Sequence, residues 1–246
     1  MIHYHGTPVG GTEKDAIEFI QGRHCLVPFA YPEQLKFVMP YCQSFILDNS
    51  AFTYWKQGGQ LDINAYLDWV KPISKHPAFD WCLIPDVIDG VEQDNKDLVM
   101  RWLQSGSKIR GVPVFHFHES LEWLEWLVDH CEMVALGSSG QWPTPGADIW
   151  WKRLSELMRV ICDDDGKPKC KIHGLRMLDH KIFSYIPLHS ADSTNAAVNS
   201  GDIRRFGMYV PPTRGQCAIV IANRIEQFQS SAVWINQQGE MNYEII

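Results

Sequence analysis

The most constraining feature of this sequence is a repeated alternation between short apolar runs and amphipathic helical patterns. Most of the runs are continuously apolar, which is typical of strands that are covered on both faces. Eight strands are predicted, at residues 24–30, 44–48, 81–86, 112–118, 133–137, 171–175, 187–192 and 217–222. Helical spacing of apolar residues predicts helices between several of them, at 64–73, 92–106, 119–131 and 147–162.

This alternation predicts parallel βαβ units. Eight strands in 246 residues match a TIM-type (β/α)8 barrel, whose usual length is roughly 250 residues. An open doubly wound sheet is the main alternative, but no GxGxxG follows the first predicted strand, and GTPVGGT (6–12) is interpreted as a turn. No linker composition divides the chain, so a single barrel domain is predicted over 1–246, with the tail after Ala222 forming a helix or strand pair that closes the barrel end.

Composition narrows the class of protein further. The net charge of −7 argues against a surface that is positive all over, although it leaves room for a local basic groove. No apolar run approaches the roughly 20 residues of a membrane span, and the N-terminus lacks the pattern of a signal peptide. The seven cysteines form no CxxC pair, which indicates reduced thiols and no structural zinc site. We therefore expect a cytoplasmic protein with no membrane association and no metal or other cofactor.

The carboxyl ends of the predicted strands carry acids, imidazoles and a Gly-Ser turn. In a TIM-type barrel these ends meet at one face, where functional sites lie. The residues found there are Asp48, Asp86, His116, His118, Gly137, Ser138, Ser139, His173, Gly174 and Asp192. Taken singly, an Asp is explained as a helix N-cap and a His as a hydrogen-bonded core residue. Their convergence on one face predicts a functional site.

The segment FILDNSAFTYW (45–55) shows how such a site would be built. Its apolar run ends on Asp48, small residues follow, and Phe52 comes soon after. An aromatic face of this kind stacks a nucleobase, worth roughly 1–3 kcal/mol per base, but the aromatic residues here are equally explained as helix packing. Asp192 lies among small polar residues, which suit an ionised carboxylate that attacks a sugar, and a helix N-cap is its alternative interpretation. Asp86 is placed to accept hydrogen bonds from purine N–H groups.

Four motifs resemble those of the tRNA-guanine transglycosylase superfamily. LDNSAF is similar to the DSGGF or DSGAF segment of that family, and VALGSSG to its Gly-rich base-binding turn. KIHGLRML resembles its H-x-x-G strand, and SADSTN stands where the family carries its nucleophilic aspartate. The motifs occur in the family's order between residue 44 and about residue 195.

The resemblance implies base exchange through a covalent aspartyl-nucleoside intermediate. Asp192 would be the nucleophile and Asp48 the general acid and base. The guanine or 7-deazaguanine base would be held by five residues, with His116 the weaker candidate: Asp86, Gly137, Ser138, His116 and Phe52.

The sequence lacks the C-x-C-x-x-C…H zinc subdomain of the tRNA enzymes, and it is shorter. It is more similar to the short DpdA-like relatives, which insert 7-deazaguanines such as preQ0 into DNA and occur in phages and bacterial modification islands. The resemblance thus implies DNA as the partner, in a bacterial or phage-infected cell, with a homodimer or accessory modification proteins as further expectations. The basic residues predicted to contact phosphates are Lys152, Arg153, Arg204 and Arg205.

Three alternatives stay open. An enzyme of the same kind would act on tRNA instead of DNA. A metal-dependent barrel hydrolase would use the HxH pair His3 and His5 together with His173 and Asp192. A non-catalytic subunit with the same barrel would bind nucleic acid and support an active partner.

Overall fold

The computed structural model describes residues 1–201, 203, 204, 207 and 209–234. Within them every pairing between strands is parallel. The strands are β1 (Ile2–Gly6), β2 (His24–Pro28), β3 (Ser44–Asp48), β4 (Phe79–Leu83), β5 (Gly111–Val112), β6 (Val114–His116), β7 (Met133–Gly137), β8 (Lys171–Gly174) and β9 (Ser190–Ser193). The helices are α1 (Glu13–Ile20), α2 (Leu35–Tyr41), α3 (Ala51–Lys56), α4 (Ile63–Ile73), α5 (Glu92–Gln104), α6 (Leu121–His130), α7 (Asp148–Ile161), α8 (His180–Phe183), α9 (Asn195–Asn199) and α10 (Arg214–Glu226), with a 3-10 turn at Pro32–Gln34.

The sheet closes because β5 and β6 are two pieces of one strand. The order around the sheet runs β5-β4-β3-β2-β1-β9-β8-β7-β6. Only Pro113 separates the two end pieces; it has no N–H for the ladder, but its carbonyl accepts a hydrogen bond from the Ala135 N–H at 2.9 Å. β5 pairs with β4 and β6 with β7. The result is a single eight-stranded TIM-type barrel, which confirms the predicted fold class.

One predicted strand is wrong, and one observed strand was not predicted. The N-terminal segment was not predicted as a strand, yet Ile2–Gly6 forms β1 and pairs with both β2 and β9. The segment 217–222, predicted as a strand, lies inside helix α10. Thr213 caps that helix by accepting from the Gln216 N–H at 3.2 Å. Its buried residues recur at helical spacing, at Cys217, Ala218, Ile221, Ala222 and Ile225. The two errors offset each other in the strand count.

The barrel has two apolar cores. The larger lies between the strands and the surrounding helices. The smaller fills the barrel interior and consists of Tyr4, Leu26, Ile46, Trp81, Leu83, Val112, Val114, Met133 and Ala135. Because side chains alternate along a strand, the residue two positions after an interior residue also faces inward. This rule places Asp48 after Ile46, and Gly137 after Ala135, at the carboxyl end of the interior.

None of the helices in the described part of the chain has the length and apolar character needed to cross a membrane. The predicted tail element is helical up to Glu226, and residues 235–246 lie outside the described residues.

Candidate active site at the carboxyl end of the barrel

Strand β3 delivers Asp48 to the barrel mouth, and a tight turn follows it. Ser50 adopts a left-handed backbone conformation with φ of 62°, which non-glycine residues rarely occupy. Two side-chain hydrogen bonds hold the turn: the Ser50 hydroxyl accepts from the Ala30 N–H at 3.0 Å, and the Asn49 side-chain oxygen accepts from the Ala51 N–H at 2.9 Å. Helix α3 therefore begins directly beside the carboxylate.

The environment of Asp48 raises the pKa of its carboxyl toward neutral pH. Burial raises the pKa of the Asp48 carboxyl, and the negative charges of Asp192 and Asp86 raise it further. Backbone N–H groups of Ser50 and Asn49 partly offset these effects, and the resulting pKa is about 7. Asp48 remains partly accessible to solvent, so it can exchange its proton. These interactions also show that the three acids, distant in sequence, are brought to one place.

Asp192 is held by hydrogen bonds on both oxygens. The residue is 6% exposed. Its Oδ2 lies 3.0 Å from Nε2 of the fully buried His173, and its Oδ1 accepts from the Arg176 backbone N–H at 3.3 Å. Nδ1 of His173 lies 2.8 Å from the Ser190 hydroxyl. With that hydroxyl donating to Nδ1, the imidazole proton sits on Nε2 and points at Asp192. The carboxylate is therefore fixed in orientation at the mouth.

Asp86 is engaged by two protein partners. Its Oδ1 accepts from the Asn49 side-chain amide at 2.6 Å, and its Oδ2 lies 2.9 Å from Nε2 of His116. Burial lowers the pKa of His116, but the contact with the Asp86 carboxylate and the charge of Glu119 together outweigh burial, so the pKa is raised overall. Glu119 accepts from the His116 backbone N–H at 2.8 Å. Asp86 and His116 thus lie together at the mouth as predicted, while their role in binding a base stays a prediction.

In the Gly-Ser turn after β7, Gly137 and Ser138 have different surroundings. A Cβ on Gly137 would lie 3.2 Å from Val114 and 3.6 Å from the His116 ring, so a larger residue would require Val114 to shift by a few tenths of an ångström. The Ser138 hydroxyl accepts from the indole N–H of buried Trp150 at 2.8 Å. The side chain of Ser138 therefore anchors α7, and this bond still leaves the O–H donor and the backbone of Ser138 for the predicted contact with a base.

Phe52 lies on α3 with 38% of its surface exposed. Its ring centroid is 5.6 Å from that of Trp55, in a tilted arrangement. On another side, the guanidinium carbon of Arg176 lies 4.3 Å from the centre of the Phe52 ring. Phe52 is thus an accessible aromatic face connected to the loop that also holds Asp192.

The residues predicted to bind phosphate differ in how far they are exposed to solvent. Lys152 is exposed on α7, and Arg204 is exposed in the segment between α9 and α10. Arg153 is instead largely buried and donates to the Phe117 carbonyl at 2.9 Å and the Glu119 carbonyl at 2.7 Å. The prediction for Arg153 is therefore corrected: its guanidinium holds the segment after β6 in place. Arg205 lies outside the described residues.

The HxH pair of β1 does not reach the mouth. His5 faces the outer helices, with its Nε2 2.9 Å from Glu226, and His3 lies 3.0 Å from the Phe228 carbonyl. Tyr4, between them, faces the interior, with its ring centroid 6.1 Å from that of His173. The ligand set proposed for a metallohydrolase is therefore not assembled. Within the part of the chain that the structure describes, no three His, Cys, Asp or Glu side chains are grouped to hold a metal ion.

Three residues at the mouth were not singled out from the sequence. Asn49 links the turn after β3 to Asp86. Glu119 anchors His116, and the HFHES segment offered a signal because an acid closely follows the two imidazoles. Arg176 has a positive φ of 57°, for which the sequence carries no signal, since nothing in KIHGLRML predicts that an arginine adopts this conformation.

Comparison with known proteins identifies no family for this chain. No protein-family model matches the chain, and no curated protein matches it. Among solved structures, a mutant tryptophan synthase alpha-subunit from the hyperthermophile Pyrococcus furiosus is similar, with 12% sequence identity and a TM-score of 0.47. The match covers 92% of this chain and 95% of that chain. The fold and mouth define the class, a TIM-type barrel with an acidic carboxyl-end site, and this fold by itself does not specify an activity.

Proposed function

We propose that this protein is a base-exchange transglycosylase that replaces guanine in DNA with a 7-deazaguanine base of the preQ0 type. The observation that carries the proposal is the pair of carboxylates at the mouth. Asp192 is oriented by His173 and the Arg176 N–H, whereas the pKa of Asp48 is raised to about 7 by burial and neighbouring charge. An oriented carboxylate and a second carboxyl whose pKa lies near neutral pH are what one nucleophile and one proton carrier require.

The local geometry of the LDNSAF segment also supports the proposal. In the resembling DSGGF and DSGAF segments, the third residue is glycine. In this chain that position is Ser50, and it adopts the left-handed conformation that glycine favours. The backbone at Ser50 is therefore one that the glycine of the resembling segments would adopt without strain.

In the proposed reaction, an oxygen of Asp192 attacks C1′ of the target nucleoside. The C1′–N9 bond breaks, a C1′–O ester bond to Asp192 forms, and the departing guanine takes the proton of Asp48. The incoming base then returns a proton to Asp48 and forms a new C1′–N bond as the ester breaks. The target guanine must leave the base stack, which costs a few kcal/mol, and the exposed Phe52 ring offers it a stacking surface.

The experiment that tests this proposal is exchange of labelled guanine into DNA, with an RNA of the same sequence in parallel. Incorporation and a covalent protein–DNA adduct on a denaturing gel are expected for the wild type. Both should be lost in Asp192→Ala and retained in Asp97→Asn, which removes a carboxylate from the exposed face of α5. Incorporation into RNA alone would establish the tRNA-type alternative. DNA binding without exchange or adduct would establish the non-catalytic alternative.

A further inference from the structure

Arg176 combines an unusual backbone with an exposed position at the mouth. It follows β8 and has a φ of 57°, a conformation that costs a non-glycine residue roughly 1–2 kcal/mol. Its backbone N–H donates to Asp192, but a glycine would supply the same N–H without the cost. The backbone alone therefore does not account for an arginine at this position, and the side chain must be considered.

The guanidinium of Arg176 is oriented but not neutralised. It lies over the Phe52 ring at 4.3 Å, and a guanidinium in contact with an aromatic ring still has N–H groups at its edge that can bind a carboxylate or a phosphate. Among the residues that the structure describes, no carboxylate forms an ion pair with it. An exposed cation therefore lies over the accessible Phe52 ring, on the residue whose backbone N–H contacts Asp192.

We propose that Arg176 binds the backbone phosphate next to the nucleotide whose sugar Asp192 attacks. This inference rests on the proposed function and adds a contact that orients the substrate. The phosphate is bonded to the same sugar that presents C1′ to Asp192, so a cation on the loop that holds Asp192 is well placed to reach it. The chain carries a net charge of −7, so binding a polyanion requires cations at the mouth. Arginine suits the task because its planar fork binds phosphate oxygens in pairs.

Two variants separate this role from a structural one. Arg176→Gly keeps the N–H toward Asp192 and suits the positive φ, so the fold and the nucleophile are preserved while the guanidinium is lost. Arg176→Lys keeps the charge but loses the planar fork and the stacking on Phe52. Arg110→Gln is the matched control, since it removes one positive charge at the opposite end of the barrel, where Arg110 pairs with Glu132 at 2.7 Å.

The experiment measures binding of a fluorescein-labelled DNA duplex by Asp192→Asn protein, which does not turn over, across a range of salt concentrations. Arg176→Gly should raise Kd about 5–20-fold and reduce the salt slope by the equivalent of about one phosphate contact. Arg176→Lys should give a Kd and a salt slope between those of Arg176→Gly and those of the protein with Arg176. Arg110→Gln should leave the salt slope unchanged. In exchange assays, KM should rise with Arg176→Gly while kcat falls less than about threefold.

An unchanged salt slope in Arg176→Gly would overturn the inference, even if Kd rose, because the side chain would then stack on a base. A loss confined to kcat would overturn it as well, because Arg176 would then only position Asp192. If the duplex binds and the slope falls as expected but no guanine is exchanged, the phosphate contact stands and the proposed function fails. If exchange occurs with an unaltered slope, the proposed function stands and the phosphate contact fails.

Discussion

The two ends of the barrel interior both contain polar side chains, but they are satisfied in different ways. At the amino end, the Asp80 carboxylate accepts from the Tyr4 hydroxyl at 2.7 Å and from Ser44, whose hydroxyl also lies 2.8 Å from His24. At the carboxyl end, Asp48 faces the charges of Asp192 and Asp86. Between the two ends lies the apolar interior core.

The difference distinguishes a structural cluster at the amino end from the candidate active site at the carboxyl end. An acid surrounded by hydroxyl donors contributes to stability, because each donor is paired. Acids that face one another in a poorly solvated place cost stability, since like charges oppose each other. Such a cost is typical of functional sites. Variants at the two ends test this contrast.

Asp48→Asn should reduce the rate of guanine exchange about 10²–10⁴-fold, because the variant cannot carry a proton between the departing and incoming bases. Asp80→Asn, the same change at the amino end, should alter the rate less than about threefold. Single-turnover assays on both variants provide the measurement. Equal rates in the two variants would show that the acids at the mouth have no special role.

Asp80→Ala should lower the free energy of unfolding by about 1–3 kcal/mol, because the hydroxyls of Tyr4 and Ser44 lose a partly buried acceptor. Urea denaturation followed by circular dichroism measures this change. Asp80→Asn keeps one acceptor oxygen, so its free energy of unfolding should fall less than that of Asp80→Ala. A variant as stable as the wild type would contradict the structural assignment of the amino-end cluster.

Stability should depend on pH through Asp48, with a definite sign. Its pKa is about 7 in the folded protein and about 3.9 in the unfolded chain. Between these values the folded state binds more protons, so the contribution of Asp48 to stability is lost as pH rises from about 4 to 7.

Asp48→Asn removes this dependence. Between pH 5 and pH 8 its stability relative to the wild type should therefore rise by about 1–2 kcal/mol, a figure reduced for the partial exposure of the carboxyl. Denaturation curves of both proteins at the two pH values test the claim. A stability difference that does not change with pH would show that Asp48 titrates normally.

Ser50→Gly should be more stable than Ser50→Ala by about 1 kcal/mol, since both lose the hydroxyl but only glycine suits the left-handed backbone. Thermal unfolding of the two variants gives the comparison. Ala51→Gly is the control, because it lies at the start of α3, where the expected order is reversed and glycine destabilises. Equal Tm values for the two Ser50 variants would show that the turn after β3 carries no strain.

Much of the barrel was predictable because strands covered on both faces read as continuous apolar runs. Seven of the eight predicted strands overlap observed ones, although 187–192 is shifted and 112–118 is interrupted at Pro113. The prediction failed for β1, whose IHYHG sequence carries two histidines that face the outer helices rather than solvent. It also failed for 217–222, where a short apolar run has the same appearance in a strand and in a buried helix.

The sequence by itself determined which polar residues stand at the strand ends, and the parallel topology then required Asp48, Asp86, His116 and Asp192 to share one face. Only the tertiary structure decided what each of them does there. Partners such as His173 for Asp192 and Asn49 for Asp86 come from other strands and loops, and the raised pKa of Asp48 results from burial and from charges distant in sequence. Burial and long-range charge are properties of the assembled barrel, because they depend on distances that local sequence does not specify.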